Sequence, residues 1–135
     1  MSKEQHLLFQ RFGMDELTQA SFDETLQKSS HELVGIFFWG HDCPNCEVAK
    51  RMLLEEATAL LALKLKWFHV NTYTESALGT RFGLHGVPTF LFFHQGRRLG
   101  RITPFPGIDP FLQALSDLRK KYPSPGTSIA DDEVS

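Results

Sequence analysis

The sequence predicts an α/β fold in which a central mixed sheet of about four strands is flanked by helices. Short apolar runs of strand length alternate with longer stretches whose apolar residues recur at helical spacing. The only two cysteines stand three positions apart, where the first apolar run gives way to a helical pattern. The chain has 135 residues, of which 41% are hydrophobic and twelve are Phe. That size and composition suit one domain with a substantial core.

Three elements are predicted in the first half of the chain. Residues 21–30 form a short helix, in which Ser21 and Glu24 have the spacing of a capping box. Leu33–Trp39 is an unbroken apolar and aromatic run, typical of a strand that is buried on both faces. The next helix begins at Pro44, because proline suits a first turn, and its apolar face extends to about residue 63.

The second half adds two helices and three strands. They are, in order, a strand at 65–71, a short helix at 75–82, strands at 89–93 and 97–102, and a helix that ends at Lys121. Gly83 is expected to end the short helix. Gln95-Gly96 is expected to form a hairpin turn. Asp109 is expected to cap the last helix, with Pro110 at its first position.

This order of elements also predicts the organisation of the chain. The first two strands are joined through a helix, so they should be parallel with a right-handed crossover. We expect an N-terminal, partly helical extension over residues 1–20 and the folded domain over residues 21–122. Residues 123–135 are polar and rich in turn-forming residues, which predicts a flexible tail.

Charge and hydropathy exclude several function classes. Lys and Arg number 14 and Asp and Glu 16, so the net charge is −2, without the basic stripe of a nucleic-acid binder. No apolar run approaches the roughly 20 residues of a membrane span. The N-terminus lacks the apolar core of a signal peptide, so we expect a cytoplasmic protein. In that compartment a C-x-x-C pair is more often catalytic or metal-binding than a structural crosslink.

The spacing Cys43-Pro44-Asn45-Cys46 suits reversible dithiol–disulfide chemistry. Cys43 would sit at a helix N-terminus, where free N–H groups and the helix dipole favour a thiolate. Cys46 lies almost one turn later on the same face, so a disulfide can close. An inert pair and a metal site remain open. A zinc site needs four ligands, and none of the six histidines has tight ligand spacing to the pair, so neither metal nor cofactor is expected.

With its C-x-x-C pair and its predicted order of strands and helices, the chain resembles the thioredoxin superfamily over roughly residues 21–122. The redox block of that family corresponds to residues 38–46, and its cis-proline loop to Gly86-Val87-Pro88-Thr89. Asn71 and the hairpin segment at residues 93–96 also match the family pattern. A lone C-x-x-C would be a weak signal, whereas the combination with this strand order is specific.

The resemblance implies roles for the matching residues. Cys43 would be the nucleophile and Cys46 the resolving thiol. Pro88 would follow a cis peptide bond, and Val87 would offer backbone groups to an extended substrate. Trp39 and Pro44 would complete the substrate site. The implied partners are a disulfide-containing protein or a small thiol substrate, and an upstream reductant such as a reductase or glutathione.

The chain also departs from the family pattern. Asp42 replaces the tryptophan that usually precedes the first cysteine, and Phe37 replaces a buried acid. His69 stands where the family has a lysine, and Arg51 where it has a helix-kinking proline. These differences indicate a divergent member. Either another group replaces the missing base, with Glu47 and His69 as candidates, or the resolving step is slow.

Three functions fit this pattern. The first is a general thiol–disulfide oxidoreductase, and the second is a dedicated reductase or peroxide-reducing relative that serves one partner. The third is a thioredoxin-fold binding or assembly module without catalysis. Retention of both cysteines favours the oxidoreductase, and the missing acid mildly favours the module.

Overall fold

A computed structural model describes residues 3–124, which form a five-stranded mixed sheet with helices on both faces. The strands are β1 Asp15–Glu16, β2 Leu33–Trp39, β3 Lys66–Asn71, β4 Thr89–His94 and β5 Arg97–Ile102. Their order in the sheet is β1-β3-β2-β4-β5. The first three of these run parallel, and β4 and β5 are antiparallel to their neighbours. The α/β class is therefore confirmed, with one short strand more than expected.

Six helices cover the sheet within the described residues. They are α1 Lys3–Phe12, α2 Phe22–Lys28, α3 Pro44–Glu55, α4 Ala57–Leu61, α5 Ser76–Arg81 and α6 Ile108–Lys121. None of them is both long enough and apolar enough to cross a membrane.

β2 is the central strand and has the bounds that the sequence predicted. It pairs in parallel with β3, where Ile36 lies opposite Phe68, and antiparallel with β4, where Phe37 lies opposite Phe90. All seven residues of β2 are buried. A strand with neighbours at both edges and helices on both faces has no solvated side, which explains its unbroken apolar sequence.

The two faces of the sheet carry separate apolar clusters. Alternate β2 residues Leu33, Phe37 and Trp39 belong to the cluster beneath α1, α3, α4 and α6, which we call the α3 face. The intervening β2 residues belong to the cluster beneath α2 and α5, which we call the α2 face. Because side chains alternate along a strand, one apolar run supplies both clusters.

The long helix predicted over residues 44–63 is divided in two. The backbone leaves helical geometry at Glu56, with φ −109° and ψ 26°, between α3 and α4. The bend directs Ala57 and Leu60 into the core of the α3 face, where both are buried. Packing therefore overrides a helical pattern that the sequence alone cannot distinguish from a continuous helix.

Two predicted helix caps are wrong. Ser21 does precede α2, but its hydroxyl accepts the Thr18 N–H at 3.1 Å and does not cap the helix. The capping box with Glu24 is therefore not formed. α6 begins at Ile108, so Asp109 and Pro110 are its second and third residues and not its cap and first residue. The residue before the helix is Gly107, whose φ of 97° suits glycine.

The hairpin turn between β4 and β5 follows the prediction. Gln95 and Gly96 have φ values of 53° and 78°, both positive as a two-residue type I′ turn requires. Gly83 ends the turn after α5 with φ 64°. Both turns need the left-handed backbone region, which is open to glycine at little cost.

The segment predicted as an N-terminal extension packs into the fold. α1 lies against α3 and buries Leu8 and Phe12. β1 then extends the sheet, and the Leu17 N–H donates to the His69 carbonyl at 2.9 Å. At the other end, the predicted flexible tail over 123–135 lies, beyond Ser124, outside the described residues.

Candidate active site

The two cysteines lie where β2 gives way to α3. Cys43 is the N-cap residue of α3, and Pro44 occupies its first turn. The Cys43 sulfur accepts the Cys46 backbone N–H at 3.1 Å. The two sulfurs are joined in a disulfide, with Cα atoms 5.2 Å apart. A sulfur that receives a backbone N–H at a helix N-terminus is placed where negative charge is stabilised.

The two sulfurs differ in their access to solvent. Cys43 is half-buried and lines an open groove together with Asp42, Pro44 and Glu47. Cys46 is fully buried in the α3 face. An incoming disulfide can therefore reach Cys43, whereas Cys46 is shielded behind it.

The loop before β4 faces the Cys43 sulfur. The Val87–Pro88 peptide bond is cis. The Val87 carbonyl oxygen lies 3.6 Å from the Cys43 sulfur. The Thr89 hydroxyl donates to the Gly86 carbonyl at 2.7 Å and tightens the loop. Val87 is half-buried and Pro88 is buried, so the loop forms a wall of the site.

Trp39 lies buried behind the motif. Its indole Nε1 donates to His69 Nδ1 at 3.1 Å, and the Lys50 ammonium lies 4.8 Å from the centre of a Trp39 ring. The His41 ring meets the indole edge-on, with the ring centres 5.6 Å apart. Because only 3% of Trp39 is exposed, it shapes the floor of the site and presents little surface of its own.

His69 is held as a neutral imidazole on β3. Its Nδ1 accepts the Trp39 N–H, and its ring stacks on Phe9 at 3.6 Å. Burial lowers the pKa of His69 to about 4, an effect that the Asp15 carboxylate opposes and the Lys50 ammonium reinforces. A histidine with this pKa and an occupied Nδ1 is a weak proton acceptor near neutral pH.

Phe37 stands where the sequence resemblance implies a buried acid. It is fully buried on the α3 face and stacks on Phe90, with ring centres 5.0 Å apart. Every residue of β2 is apolar or glycine, so this strand brings no titratable side chain to the dithiol. Any charge that assists the sulfurs must come from another element.

α3 itself supplies such charges. Lys50 Nζ contacts Glu47 Oε2 at 2.8 Å, three residues apart along the helix. The side chain of Lys50 is 0% exposed and that of Glu47 is 38% exposed. Sequence analysis considered Glu47 but missed Lys50. The sequence clue that could have identified Lys50 is its position four residues after Cys46.

The loop after β3 adds an aromatic edge to the site. Tyr73 is 62% exposed, and its ring meets His41 edge-on at 4.8 Å. The Asn71 side-chain oxygen accepts the Tyr73 N–H at 3.0 Å and holds the loop in place. Sequence analysis missed Tyr73, because its closeness to His41 depends on the pairing of β2 with β3.

Within residues 3–124, no group of three or more His, Cys, Asp or Glu side chains is arranged to hold a metal ion.

Comparison with known proteins identifies the family. The thioredoxin family model matches residues 13–110, which is well over half of the chain. The chain belongs to the thioredoxin family. Thiol–disulfide oxidoreduction is accordingly the family-level activity, and the matched segment contains both cysteines and the Val87–Pro88 loop.

Individual relatives agree with this assignment. A thioredoxin of Mycobacterium tuberculosis (strain ATCC 25618 / H37Rv) is 33% identical, over 76% of this chain and 86% of the relative. The chloroplastic thioredoxin Y of Oryza sativa subsp. japonica is 27% identical over 75% of this chain. The match spans only 57% of that relative's length.

A solved structure shows the same fold. The crystal structure of Chlamydomonas reinhardtii thioredoxin f2 superimposes with a TM-score of 0.64 at 19% identity. The alignment covers 84% of this chain and 99% of the other. The thioredoxin-like architecture expected from the sequence is therefore confirmed.

Proposed function

We propose that this protein is a dithiol–disulfide oxidoreductase in which Cys43 attacks and Cys46 resolves. The observation that carries the proposal is the asymmetry of the pair. The half-buried Cys43 sulfur lies on an open groove and receives a backbone N–H, whereas Cys46 is fully buried. An accessible, stabilised thiolate is the attacking species in disulfide exchange.

The reaction has two balanced steps. The Cys43 thiolate attacks one sulfur of the substrate disulfide, so that a mixed disulfide forms and the other substrate sulfur leaves as a thiolate. The Cys46 thiolate then attacks Cys43, which forms the Cys43–Cys46 bond and releases the second substrate thiolate. The substrate gains two electrons and the protein loses two. No metal or organic cofactor takes part in either step.

The surroundings of the Cys43 sulfur suit an extended substrate. The carbonyl group of Val87 lies beside the Cys43 sulfur, so a peptide next to its own disulfide could pair with this backbone as an added strand. Pro88 fixes the direction of that backbone, and Pro44 is an exposed residue that lines the groove. Trp39 supports the site from beneath.

The proposed substrate is a disulfide in a protein or a small thiol compound. The electrons come from an upstream reductant such as a reductase or glutathione. The reaction belongs in the cytoplasm, where the surrounding thiol pool would keep the pair reduced between turnovers. The open groove, together with the exposed Tyr73 that contacts His41, supports a macromolecular partner over a small compound alone.

The decisive experiment combines insulin disulfide reduction with equilibration against glutathione buffers. We expect a reversible intramolecular disulfide in the wild-type protein and loss of activity in Cys43→Ser. Cys46→Ser should retain the first step and accumulate a mixed disulfide that mass spectrometry detects. Because the chain has no third cysteine, each variant reports on a single sulfur.

The opposite result would contradict the proposal. If the wild-type protein is properly folded with both thiols free and exchanges with neither insulin nor glutathione, it is not an oxidoreductase. A Cys43→Ser protein that still performs its cellular task would then favour the binding or assembly module.

A further inference from the structure

An ion pair lies one helical turn below the dithiol. Cys43 caps α3 and Cys46 lies three residues later in its first turn, and Glu47 and Lys50 are three residues apart one turn later. Each charged residue follows a cysteine by four positions. Residues at this spacing lie on the same face of a helix, with Cβ atoms about 5–6 Å apart. Glu47 is therefore next to Cys43, and Lys50 is next to Cys46.

Within each of these two pairs, the cysteine and the charged residue are buried to a similar extent. Cys46 and the Lys50 side chain are both 0% exposed. Cys43 and Glu47 are both partly exposed and line the same groove. The positive charge thus accompanies the buried sulfur, and the negative charge accompanies the accessible one.

The Lys50 side chain extends towards the dithiol end of the helix. Side chains on α-helices lean towards the N-terminus. The Lys50 ammonium follows this direction and contacts Glu47 in the preceding turn at 2.8 Å. It also lies 4.8 Å from the centre of a Trp39 ring, and Trp39 ends the strand that leads into the motif. Carboxylate and indole together hold the ammonium between α3 and the end of β2.

Of the elements around the motif, β2 and β3 bring little other charge to Cys46. β2 presents Phe37 and Trp39 to the α3 face, and neither titrates. On β3, His69 accepts the indole N–H of Trp39 and is neutral near pH 7. His41 and Asp42 belong to the exposed loop before Cys43. Lys50 is therefore the buried cation within one helical turn of the resolving sulfur.

We propose that Lys50 is a positioning residue for the resolving step, in which its buried ammonium stabilises the Cys46 thiolate. This inference rests on the proposed oxidoreductase function. Cys46 releases its proton to solvent, and the thiolate then attacks Cys43 of the mixed disulfide. Glu47 orients the ammonium and partly offsets its charge. A buried thiol without such a cation would ionise poorly, because burial disfavours the charged form.

The test uses dithiodipyridine, a neutral disulfide that releases a coloured thione at each of the two steps. In stopped-flow measurements on the reduced protein, the first release reports attack by Cys43 and the second reports resolution by Cys46. We expect Lys50→Met to slow the second release about three- to tenfold near neutral pH. The pH midpoint of that phase should rise by about one unit, while the first release changes less.

Three variants separate charge from structure. Lys50→Arg retains the cation and should keep the wild-type midpoint. Arg51→Met removes a cation from the exposed side of the same helix and should leave both phases unchanged. Glu47→Gln removes the offsetting charge and should move the second midpoint to lower pH. A shift opposite to that of Lys50→Met cannot arise from a general loss of stability.

The results distinguish this inference from the proposed function. In one outcome, the wild type releases thione twice, and Lys50→Met and Glu47→Gln keep the wild-type pH midpoint for the second release. That result would overturn the role of Lys50 and leave the oxidoreductase function intact. If Lys50→Met misfolds, Glu47→Gln alone decides the question. A pH midpoint of the second release that equals the wild-type value in this variant would overturn the role of Lys50. A single release, or none, from folded and reduced wild-type protein would overturn both.

Discussion

At the scale of single residues, His69 couples the site to pH. Folding lowers its pKa from about 6.5 to about 4, chiefly through burial. Between these values the unfolded chain binds a proton that the folded protein does not. The stability contributed by neutral His69 is therefore complete above about pH 6.5 and is lost as the pH falls towards 4.

Replacing His69 should flatten this part of the stability profile. We expect His69→Asn to keep an acceptor for the Trp39 N–H while removing the titration. Over the window from about pH 6.5 to 4, the wild type should lose about 3 kcal/mol more stability than the variant. Urea unfolding at several pH values measures the difference. His85→Gln, at an exposed position, is the control and should follow the wild type.

At the scale of elements, α1 is the clearest case of a segment whose role depends on packing. Leu8 is 0% exposed in the core of the α3 face, whereas its neighbour Leu7 is 47% exposed. Phe9 of the same helix stacks on His69. The helix therefore covers the side of the sheet on which the site is built.

The neighbouring leucines provide a matched test of this role. Leu8→Ala should lower the free energy of unfolding by about 2–5 kcal/mol, because it leaves a cavity in the core. Leu7→Ala should change it much less, because about half of Leu7 is exposed on the surface. Denaturant unfolding of the two variants measures the contrast. Equal effects would show that α1 does not pack as described.

The elements also show where sequence reasoning succeeds and where it stops. β2 was predictable because a strand buried on both faces must be apolar throughout. β1 was not, because two acidic residues, Asp15 and Glu16, carry no strand signature and pair only once β3 is in place. The break at Glu56 likewise follows from packing, since the apolar pattern continues across it.

The candidate site likewise contains residues that the sequence predicts and residues that it does not. Cys43 and Cys46 were evident from their local spacing and from the strand–helix junction around them. Lys50 was hidden, because a lysine on an amphipathic helix usually lies in solvent. Its burial accompanies the Trp39 ring beneath it and the packing of α1 against α3. Tertiary packing, which the local pattern does not encode, decides such environments.

At the scale of the whole molecule, one sheet separates two apolar clusters. The α3 face holds both tryptophans, Trp39 and Trp67, together with the site. The α2 face holds Leu78 of α5 and has no tryptophan. The two clusters share the same strands, since alternate residues of β2 and β4 belong to opposite faces. This arrangement predicts that the two faces unfold together.

Leu78→Ala tests the coupling, because its cavity and the fluorescent reporters lie on opposite faces. Leu78 is 0% exposed, so the substitution should cost about 2–5 kcal/mol. If unfolding is cooperative, tryptophan fluorescence and far-ultraviolet circular dichroism should report the same lowered midpoint. A fluorescence midpoint that stays at the wild-type value while the dichroism midpoint falls would mean that the α3 face is stable by itself. The shared strands argue against that outcome, because unfolding of the α2 face exposes half of the apolar surface of β2.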